Sequence, residues 1–504
     1  MAADVSPAGG VPRPAQVEPV RLSALPGELH GADLEITGIT SGTSFVHPGD
    51  LFAGLPGTKA HGASYARTAL DAGAVAVLTD EAGRAHVPAG VPVVVVPDVR
   101  ADLGSISSAV YGRPSSKLTV LGVTGTSGKT TTTFLMEAGL RAAGRVPGLI
   151  GTVGIHIGET ELKTGFTTPE APELQALLAV MVEAGVTDVA MEVSSHALAL
   201  GRVGGVAVDV GGFTNLSEDH LDFHADMEDY FRAKVELFSE GVWPVIVIDD
   251  VWGERLVRIV GECTPVSSSS AGEWYVDGAV RDRPDGSTEF TLCHREPELR
   301  LEAACAIPGR YNVANVVLAV AMLARAGVDP AVAVAAISTA TVPGRMEPVS
   351  VGQPFLAVVD YSHKPAAVEG ALKALRPLTK GRLVIVLGCG GDRDRGKRPT
   401  MGEIAARGAD LLIVTDDNPR SEVAAEIRRA MLDGALAVPR GERGEVIEVG
   451  DRVEAIAAAV AVAEEGDTVL VAGKGHELGQ EIDGVIYPFD DRIVLRNALL
   501  ARRP

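Results

Sequence analysis

The 504-residue sequence has few cysteines, few aromatic residues and too little positive charge to balance its acids, and each shortage excludes a class of protein. Its four cysteines form no CxxC pair, so the sequence predicts neither a zinc site nor a disulfide scaffold and favours a reducing compartment, the cytoplasm. The formal net charge of −21 argues against a nucleic-acid partner, because a phosphate backbone requires a basic face. Aromatic residues make up only 4% of the chain while 58 residues are glycine, a composition that suits close packing of helices on sheets.

The chain also lacks a long apolar run and a secretory leader. Its most apolar helical stretch, VANVVLAVAMLA at 313–324, is too short to span a bilayer. The first residues contain no basic segment followed by an apolar one, so no signal peptide is predicted, and residues 1–20 are expected to form a disordered tail rich in Pro, Ala and Gly. We expect a monomer without a membrane span that acts on small molecules.

Short runs of Val, Ile and Leu alternate with Ala-rich amphipathic stretches along the chain. Apolar strands that alternate with helices predict an α/β fold whose sheets are covered on both faces. The turn-rich segments YGRPSS (111–116) and TATVPGRMEPV (339–349) mark two boundaries. The sequence therefore predicts three domains, at 21–115, 116–342 and 343–504, all of ordinary size.

A glycine-rich turn between a strand and a helix, in LTVLGVTGTSGKTTTTFLMEAGL (118–140), is typical of a phosphate-binding loop. Gly125 and Gly128 allow backbone N–H groups to approach phosphate oxygens, Lys129 can reach the β- and γ-phosphates, and the Thr130 hydroxyl can bind Mg²⁺. The spacing departs from GxxxxGK[ST], because position 123 is Val. The loop predicts ATP binding but by itself does not distinguish a kinase, a hydrolase or a ligase.

Three further polar motifs follow at or near the ends of later predicted elements. Glu192 ends an apolar strand, His220 and His224 lie in the acidic segment FTNLSEDHLDFH (213–224), and Lys234 lies on an amphipathic helix. Ligands of α/β proteins collect at the carboxyl ends of strands, so these side chains are candidates for a site with two metal ions and an acyl acceptor. Any one of them could be structural, and for an isolated Glu at a strand end a structural role is favoured.

Eight segments, taken together and in order, resemble the Mur ligases, and within that family the members that add diaminopimelate. The likeness runs from about residue 35 to 490. It implies an N-terminal UDP-binding α/β domain, a central domain with a parallel sheet like that of P-loop ATPases, and a C-terminal Rossmann-like α/β domain. The segments are GVTGTSGKTT, MEVSSHALALGRV, FTNLSEDHLDFH, AKVELF, GRYNVANVVLA, VPGRME, VDYSHKP and GCGGDRDRGKRPTM.

The resemblance implies a role for each matching residue of the ATP site. Mg²⁺ would be held by Thr130, Glu192 and His220, and Lys234 matches a lysine that CO₂ converts to a carbamate, an oxygen ligand for a second Mg²⁺. Arg345 matches an arginine that reaches the phosphates when the domains close, Asn312 an adenine contact and Asp360 a ribose contact. The implied catalytic residues are Lys129, Glu192, His220, Lys234 and Arg345, and the implied phosphate contacts are Gly125, Thr126, Ser127, Gly128, Lys129, Thr130 and Thr131.

The resemblance also implies where the UDP-sugar substrate binds. The segment PGDLFAGLPGTKAHG (48–62) is similar to the family's uridine site. The chain departs from the family just before this segment, where the family usually has Asp-Ser-Arg and this chain has GTS (42–44). Thr43 can supply the hydroxyl group of the family's serine, but the Asp and the Arg are missing. The implied contacts are Ser41, Thr43, Thr58, Lys59 and Ala60 for the nucleotide, and Thr167, Thr168, Ser194 and Arg202 for the sugar and peptide arm.

The motif DNPR (417–420) ends the apolar run LLIVT and carries the specificity prediction. Pro419 fixes its own φ and pushes Asn418 away from helical geometry, which holds Arg420 at a stiff corner where its planar cation suits a carboxylate. A solvated turn that caps the next helix is the alternative for such a motif taken alone. In the resembling ligases it binds diaminopimelate, whose distal end is a zwitterion. The implied contacts are Arg393, Asp417, Asn418, Pro419, Arg420, Gly473 and Glu477.

The implied activity is formation of an amide bond between UDP-N-acetylmuramoyl-L-alanyl-D-glutamate and diaminopimelate, driven by ATP through an acyl phosphate. This reaction belongs to peptidoglycan precursor synthesis and hence to cell-wall growth, cell shape and division. Rival activities are ligases of the same fold that add alanine, glutamate or a dipeptide, or that extend folate with glutamate. A nucleotide-binding scaffold with an inactive site is the rival from another class. The intact set of Lys129, Thr130, Glu192, His220 and Lys234 counts against it.

Overall fold

The computed structural model describes residues 12–162 and 167–502. The chain divides into two compact units, Met1–Tyr275 with Val317–Ala333, and Val276–Val316 with Val334–Pro504. Both units contain helices packed on mainly parallel sheets, so the predicted α/β class is confirmed. The boundaries of the three predicted domains remain predictions.

The chain makes specific contacts with the first unit from Arg13 onward, within the segment 1–20 that was predicted to be a disordered tail. Arg13 Nη1 donates to Asp50 Oδ1 at 2.6 Å, and the backbone amides of Ala15 and Gln16 donate to the Glu183 carboxylate at 2.9 and 3.0 Å. Asp50 is only 1% exposed, and a buried carboxylate needs a cation or hydrogen-bond donors beside it. Composition alone does not identify Arg13 as that cation. The prediction is therefore wrong from Arg13 onward, while residues 1–11 lie outside the described residues.

The amino-terminal part of the first unit is a five-stranded sheet in the order β2-β7-β6-β5-β4, parallel except for β2, with β1 and β3 paired beside it. The residues of β4 to β7 are almost all buried, as expected for strands covered on both faces, whereas the edge strand β2 is partly exposed. The elements are β1 (Val20–Arg21), β2 (Glu28–His30), β3 (Glu35–Ile36), β4 (Gly38–Thr40), β5 (Asp50–Ala53), α1 (Ala66–Asp71), β6 (Ala76–Thr79), α2 (Glu81–Arg84), β7 (Val93–Val95) and α3 (Val99–Val110).

The rest of the first unit is built on a second sheet in the order β11-β10-β9-β12-β8-β13-β14-β15. The strands from β9 to β15 in this order run parallel, and β10 is antiparallel to both of its neighbours. The elements are β8 (Thr119–Thr124), α4 (Lys129–Ala142), β9 (Pro147–Ile150), β10 (Ile155–Ile157), β11 (Thr160–Leu162), α5 (Ala171–Glu183), β12 (Asp188–Glu192), α6 (Ser195–Ala199), β13 (Val210–Phe213), α7 (Met227–Val235), β14 (Trp243–Val247), α8 (Val251–Val260) and β15 (Thr264–Ser267).

Helix α5 contributes residues to the hydrophobic cores of both sheets of the first unit. Helix α3 packs on α5, and Ala171, Ala176 and Ala179 of α5 lie in the same buried cluster as the strands of the amino-terminal sheet. Gly104 of α3 faces Gly204 so closely that a Cβ on Gly104 would lie 2.3 Å from the Gly204 carbonyl oxygen. This close approach requires glycine at position 104 and joins the two sheets into one unit.

The chain then forms an antiparallel pair and two helices around the division between the units. Strands β17 and β18 pair from Thr288–Cys305 to His294–Leu299. The elements are β16 (Trp274–Asp282), β17 (Thr288–His294), β18 (Leu299–Cys305), α9 (Tyr311–Arg325) and α10 (Pro330–Ile337).

The second unit contains a six-stranded sheet in the order β19-β20-β24-β21-β22-β23, parallel except for the edge strand β19. Helices α14 and α15 pack on the face that carries Val384, Val386 and Val469, and α12 packs against both α11 and α13. The elements are β19 (Glu347–Pro348), β20 (Leu356–Asp360), α11 (Pro365–Leu375), β21 (Leu383–Leu387), α12 (Lys397–Gly408), β22 (Leu411–Val414), α13 (Ala424–Ala437), β23 (Glu445–Glu448), α14 (Arg452–Val462), β24 (Thr468–Ala472), β25 (Gly479–Ile482), β26 (Val485–Pro488) and α15 (Asp491–Ala501).

A fully buried ion pair connects α14 to α15. Arg452 Nε and Nη2 each donate to one oxygen of Asp491 at 2.7 Å, and both side chains are 0% exposed. Arg452 also donates to the carbonyl oxygens of Ala472, at 2.9 Å, and Asp416, at 3.4 Å. The guanidinium thus fixes the carboxyl end of β24 and the start of the DNPR segment.

We expect Arg452→Met to lower the free energy of unfolding of the second unit by about 3–5 kcal/mol, because Asp491 is left buried without its cation. Urea unfolding of the full chain measures the change. The double variant Arg452→Met, Asp491→Leu should recover more than half of the loss, since it removes both charges. A single variant within about 1 kcal/mol of the parent would contradict a role for the pair in stability.

Among residues 12–162 and 167–502, none of the helices is both long enough and apolar enough to cross a bilayer.

Candidate active site

Three neighbouring parallel strands bring the predicted residues of the first unit to one edge of the sheet. Strand β8 lies between β12 and β13, with Glu192 in register with Val123 and Phe213 in register with Thr124. The phosphate loop follows β8, so it lies between the end of β12 and the segment after β13. The phosphate loop, Glu192 and the segment after β13 thus lie at the carboxyl ends of adjacent strands, whereas Lys234 lies on α7.

The phosphate loop turns tightly and folds its lysine back onto itself. Gly125 has φ +143°, and a Cβ at this position would lie 1.8 Å from Thr214 Oγ1. Lys129, the first residue of α4, donates from Nζ to the carbonyl oxygens of Gly125 and Thr126 at 2.8 and 2.9 Å. The ammonium therefore lies over the turn at the positive end of the helix, where an anion is favoured.

The segment after β13 braces this loop. Thr214 Oγ1 donates to the Ser127 carbonyl oxygen at 2.7 Å, Asn215 Oδ1 accepts from the Ser127 N–H at 3.1 Å, and Asn215 Nδ2 donates back to Ser127 O. Thr126 Oγ1 lies 3.2 Å from Tyr230 Oη. These three bracing residues were not among the predicted contacts, although Thr214 and Asn215 lie in the motif that carried the resemblance.

Glu192 is 1% exposed and its carboxylate is fixed by one neighbouring residue. Oε1 accepts from the Thr152 backbone N–H at 2.8 Å, and Oε2 accepts from the Thr152 hydroxyl at 3.2 Å. The Thr152 hydroxyl also lies 3.0 Å from Thr167 Oγ1, which links the predicted metal ligand to a predicted sugar contact.

The four residues predicted to grip the sugar and peptide arm lie together beside Glu192. Thr168 Oγ1 donates to the Glu192 carbonyl oxygen at 2.9 Å and accepts from the Ser194 N–H at 3.4 Å. Arg202 donates to the Thr168 carbonyl oxygen and forms an ion pair of 2.7 Å with Glu170. The Ser194 hydroxyl caps α6 by accepting from Ala197 N–H at 3.1 Å.

Lys234 is a buried lysine that lies against the phosphate loop. Its side chain is 1% exposed, its Nζ donates to the Gly125 carbonyl oxygen at 2.9 Å, and it lies 4.3 Å from the centre of the Tyr230 ring. Burial, and then the charge of Lys129, hold the pKa of the Lys234 amine well below its usual value. An amine of this kind spends more time unprotonated than a surface lysine does, and only an unprotonated amine reacts with CO₂.

His196 of α6 and two histidines of the segment before α7, His220 and His224, form a group. His220 has φ +57°, its Nε2 lies 3.5 Å from Asp219 Oδ2, and its ring meets the His196 ring edge-on with centroids 4.8 Å apart. His224 is buried and its Nδ1 lies 3.2 Å from Asp229 Oδ2. Burial, and then His224, lower the pKa of His196. The sequence reasoning did not single out His196, which stands in the MEVSSHALALGR segment.

The residues present fit the Mg²⁺ that the family implies. In the described part of the chain, no three His, Cys, Asp or Glu side chains form a ready metal-binding group. Mg²⁺ in nucleotide sites takes most of its ligands from phosphates and water, with only one or two carboxylates from the protein. The Thr130 hydroxyl at the start of α4 and the buried Glu192 carboxylate on the next strand are donors of that kind.

The predicted nucleotide contacts of the amino-terminal sheet follow two adjacent parallel strands. Ser41 and Thr43 come after β4, and Thr58, Lys59 and Ala60 come after β5, with Thr40 in register with Phe52. The loop after β5 is closed by the Gly62 N–H, which donates to the Leu55 carbonyl oxygen at 2.7 Å. Thr58 to Ala60 are exposed at the end of this sheet.

In the second unit, Asn312 and Asp360 have their polar atoms engaged within the protein. Asn312 Nδ2 donates to the Pro308 carbonyl oxygen at 2.9 Å, and its Oδ1 accepts from Asn315 Nδ2 at 2.9 Å. Asp360 Oδ2 accepts from the Met346 N–H at 2.7 Å, which braces the segment that carries Arg345. Their adenine and ribose contacts remain predictions.

Arg345 lies over an aromatic cluster. Its guanidinium carbon is 4.5 Å from the centre of the Tyr361 ring, and the His476 ring lies 4.8 Å from Tyr361 on centroids. Burial, and then the charge of Arg345, lower the pKa of His476 to about 4, so this imidazole is neutral near pH 7. Arg345 Nε is buried and lacks a hydrogen-bond partner within the described residues.

The DNPR corner holds Arg420 in a left-handed conformation with φ +53°. Its side chain is anchored at two atoms, because Nη1 donates to the Gly391 carbonyl oxygen at 2.7 Å and Nε donates to Glu481 Oε2 at 3.1 Å. Helix α13 begins four residues later, at Ala424, so this motif is not a simple cap for that helix. The stiff corner predicted around Pro419 is present, and its partner Glu481 was not anticipated.

The other predicted residues of the amino-acid pocket lie around this corner. Asn418 Nδ2 donates to Glu477 Oε2 at 2.8 Å. Gly473 has φ +115°, and a Cβ there would lie 2.6 Å from Asp417 Oδ2. Arg393 is exposed and lies beside the same turn. A Cβ added to Gly390 would lie 2.9 Å from Arg420 Nη1 and 3.9 Å from Arg393 Cγ. Buried Lys474, which the sequence reasoning did not single out, also contacts this group.

Comparisons with known proteins agree with this arrangement. Three family models match in order along the chain, described as the Mur ligase family catalytic domain at residues 35–111, the Mur ligase middle domain at 123–323, and the Mur ligase glutamate ligase domain at 344–475. The matches cover parts of both sheets of the first unit and most of the β19–β24 sheet.

Relatives with curated names are similar over nearly the whole chain. A UDP-N-acetylmuramoyl-L-alanyl-D-glutamate–2,6-diaminopimelate ligase of Streptomyces avermitilis is 52% identical over 500 residues, which is 97% of this chain and 98% of that protein. The protein of the same name from Corynebacterium glutamicum is 51% identical over 460 residues, or 89% of each chain.

Solved structures with the same fold include a ligase of that name, at 32% identity and a TM-score of 0.68 over 93% of this chain and 95% of that chain. MurF from Acinetobacter baumannii, at 18% identity and a TM-score of 0.62 over 91% of this chain and 96% of that chain, shares the fold. The resemblance inferred from the eight sequence segments is confirmed, and the chain belongs to the Mur ligase family.

Proposed function

We propose that this protein is an ATP-dependent ligase that joins diaminopimelate to the D-glutamyl γ-carboxylate of UDP-N-acetylmuramoyl-L-alanyl-D-glutamate. The observation that carries the amino-acid assignment is the anchored guanidinium of Arg420, held beside Asn418 and Glu477. A cation next to a carboxylate is complementary to the distal zwitterion of diaminopimelate, whereas lysine has no distal carboxylate. The names of the relatives that are about half identical support the same assignment.

The first step is attack of the substrate γ-carboxylate on the γ-phosphorus of ATP, which gives an acyl phosphate and ADP. Lys129 and the N–H groups at the start of α4 neutralise charge on the phosphates, so positioning and electrostatic stabilisation supply most of the rate. Thr130 and Glu192, with His220, are the residues that would hold Mg²⁺, which supplies charge neutralisation when bound. Thr168, Ser194 and Arg202 lie next to Glu192 and would orient the peptide arm.

The second step is attack of the diaminopimelate amine on the activated carbonyl, with loss of phosphate. The second unit supplies the acceptor pocket of Arg393, Asp417, Asn418, Pro419, Arg420, Gly473 and Glu477, and Arg345 for phosphate charge. Asn312 and Asp360 are proposed as the nucleoside contacts, which requires some of their present hydrogen bonds to be exchanged for bonds to ATP. We propose that Lys234 carries a CO₂-derived carbamate and thereby becomes a metal ligand.

The reaction belongs to peptidoglycan precursor synthesis, and we propose that the protein acts in the cytoplasm as a monomer on small-molecule substrates. The residues proposed to bind the uridine end of the substrate are Ser41, Thr43, Thr58, Lys59 and Ala60. The segment GTS at 42–44 offers hydroxyl groups at this place, and it lacks the acid and base common in relatives.

Phosphate release tests the proposal. Purified protein with ATP, Mg²⁺ and the UDP-linked dipeptide should release phosphate when diaminopimelate is added, and at least about 1,000-fold more slowly, by kcat/KM, with lysine. Equal rates with both amines would refute the amino-acid assignment. Turnover with a folate acceptor and glutamate, or none with any amine, would refute the ligase assignment.

A further inference from the structure

We propose that Lys474 is a positioning residue for the acceptor amino acid, setting the orientation of Asn418 and Glu477 toward the distal zwitterion. The inference rests on the proposed function and adds to it a residue that no sequence motif or comparison assigned. Lys474 is 0% exposed, yet it lies between two residues of the acceptor pocket.

The contacts of Lys474 are all directed at the pocket. Its Nζ donates to Asn418 Oδ1 at 3.0 Å and to Glu477 Oε2 at 3.1 Å. A tight turn gives this geometry, because the Glu477 N–H donates to the Lys474 carbonyl oxygen at 3.0 Å. The turn sends the lysine into the protein and leaves the Glu477 side chain 33% exposed.

The ammonium decides which way the Asn418 amide faces. Asn418 Oδ1 receives Lys474 Nζ and also the Glu481 backbone N–H, at 2.9 Å. Two donors at one atom require an oxygen there, so the amide NH₂ group must face the other way, toward Glu477 Oε2. With a neutral apolar side chain at position 474, only the Glu481 N–H would still specify this orientation.

The same ammonium fixes the Glu477 carboxylate. Oε2 accepts from both Lys474 Nζ and Asn418 Nδ2, whereas Oε1 accepts no hydrogen bond from the described residues. Oε1, on a side chain that is one-third exposed, is thus the atom presented to a ligand, and an ammonium group is the ligand that suits it. Lys474 therefore holds the Glu477 carboxylate in place while leaving one of its oxygens for the substrate.

A buried lysine could instead serve stability alone, and the two roles differ in which kinetic constant they change. A positioning role predicts that Lys474→Met raises KM for diaminopimelate by about 30-fold or more, because charge-assisted contacts to the substrate are misaligned. KM for ATP and for the UDP-linked dipeptide should stay within about 3-fold, and kcat within about 5-fold. Lys373→Met is the matched control, since Lys373 pairs with Glu369 on the surface of α11.

A double-variant cycle adds a readout that a purely structural role would not move. Asn418→Ala removes one of the two contacts of Lys474, so the double variant should raise KM for diaminopimelate by less than the product of the two single effects, about 10-fold or less beyond Asn418→Ala alone. Lys474→Gln, which keeps a donor for Asn418, should raise it by only about 10-fold and is the second variant if the methionine protein does not fold.

The parent protein is measured first, so that the two hypotheses fail separately. No diaminopimelate-dependent phosphate release by the parent would refute the proposed function. If the parent is active, then an unchanged KM for diaminopimelate in a folded Lys474 variant overturns the positioning role alone. An equal rise in KM for all three substrates, or full additivity with Asn418→Ala, would do the same.

Discussion

Replacing Arg420 with methionine is expected to lower kcat/KM for diaminopimelate by about 1,000-fold and to leave the low rate with lysine within about 3-fold of the parent value. The first effect corresponds to about 4 kcal/mol, the range measured when one partner of a desolvated charge pair is removed. The second follows because lysine has no distal carboxylate for the guanidinium to bind. Measuring phosphate release with both amines gives the change in preference directly.

The surroundings of Arg420 sharpen this expectation. Two of its nitrogens are already bound, to Gly391 O and to Glu481, so the side chain is fixed before the substrate arrives and little ordering entropy is lost on binding. Glu481→Gln removes the acidic partner and should weaken diaminopimelate binding less, by about 10-fold, because Nη1 still anchors the guanidinium.

Arg407→Met is the matched control for Arg420→Met. Arg407 also pairs with carboxylates, Glu403 and Glu442, but on an exposed surface of α12, where such pairs contribute little. It should change neither rate by more than about 2-fold. An Arg420 variant that keeps the parent preference between the two amines would refute the specificity model.

Lys234→Arg should reduce kcat by about 1,000-fold while the protein remains folded. Arginine keeps the positive charge and can still donate to the Gly125 carbonyl oxygen, but it does not form a carbamate with CO₂. If the function of Lys234 is to become an oxygen ligand, loss of that ligand removes charge stabilisation in the transition state and affects kcat more than KM.

The carbamate itself has a readout that does not depend on turnover. The parent protein in ¹³C-bicarbonate should give a carbamate carbonyl signal by NMR, and the Lys234→Arg protein should lack it. Lys364→Arg, at an exposed lysine of the second unit, is the control and should keep the signal. A parent spectrum with no carbamate signal, or an Lys234→Arg protein with full activity, would contradict the proposed modification.

Several features of the site could be predicted because they follow from local chain rules. A strand, a glycine turn and Lys-Thr in order specify the phosphate loop, and parallel strands place their carboxyl ends at one edge, which brings Glu192 and Phe213 to either side of it. The Pro419 corner likewise follows from the fixed φ of proline. These predictions needed no knowledge of distant contacts.

The features that were missed depend on pairings between distant parts of the chain. Arg13 is ordered because Asp50, 37 residues away, is buried and needs a cation. Glu481 approaches Arg420 across 61 residues, and Lys474 approaches Asn418 across 56. A charged residue in an unremarkable segment gives no local sign of such a partner, so composition and spacing could not identify these pairs.

The shared core of α3 and α5 has a consequence for substrate length. Because α3 packs on α5, the helix that precedes β12, and Gly104 of α3 lies against Gly204, the span from Thr58–Ala60 to the phosphate loop is set by packed residues within one unit. The first unit would then select the length of the nucleotide-linked peptide that can react. A peptide arm one residue longer or shorter would place its carboxylate out of reach of the γ-phosphate, whatever the acceptor amino acid.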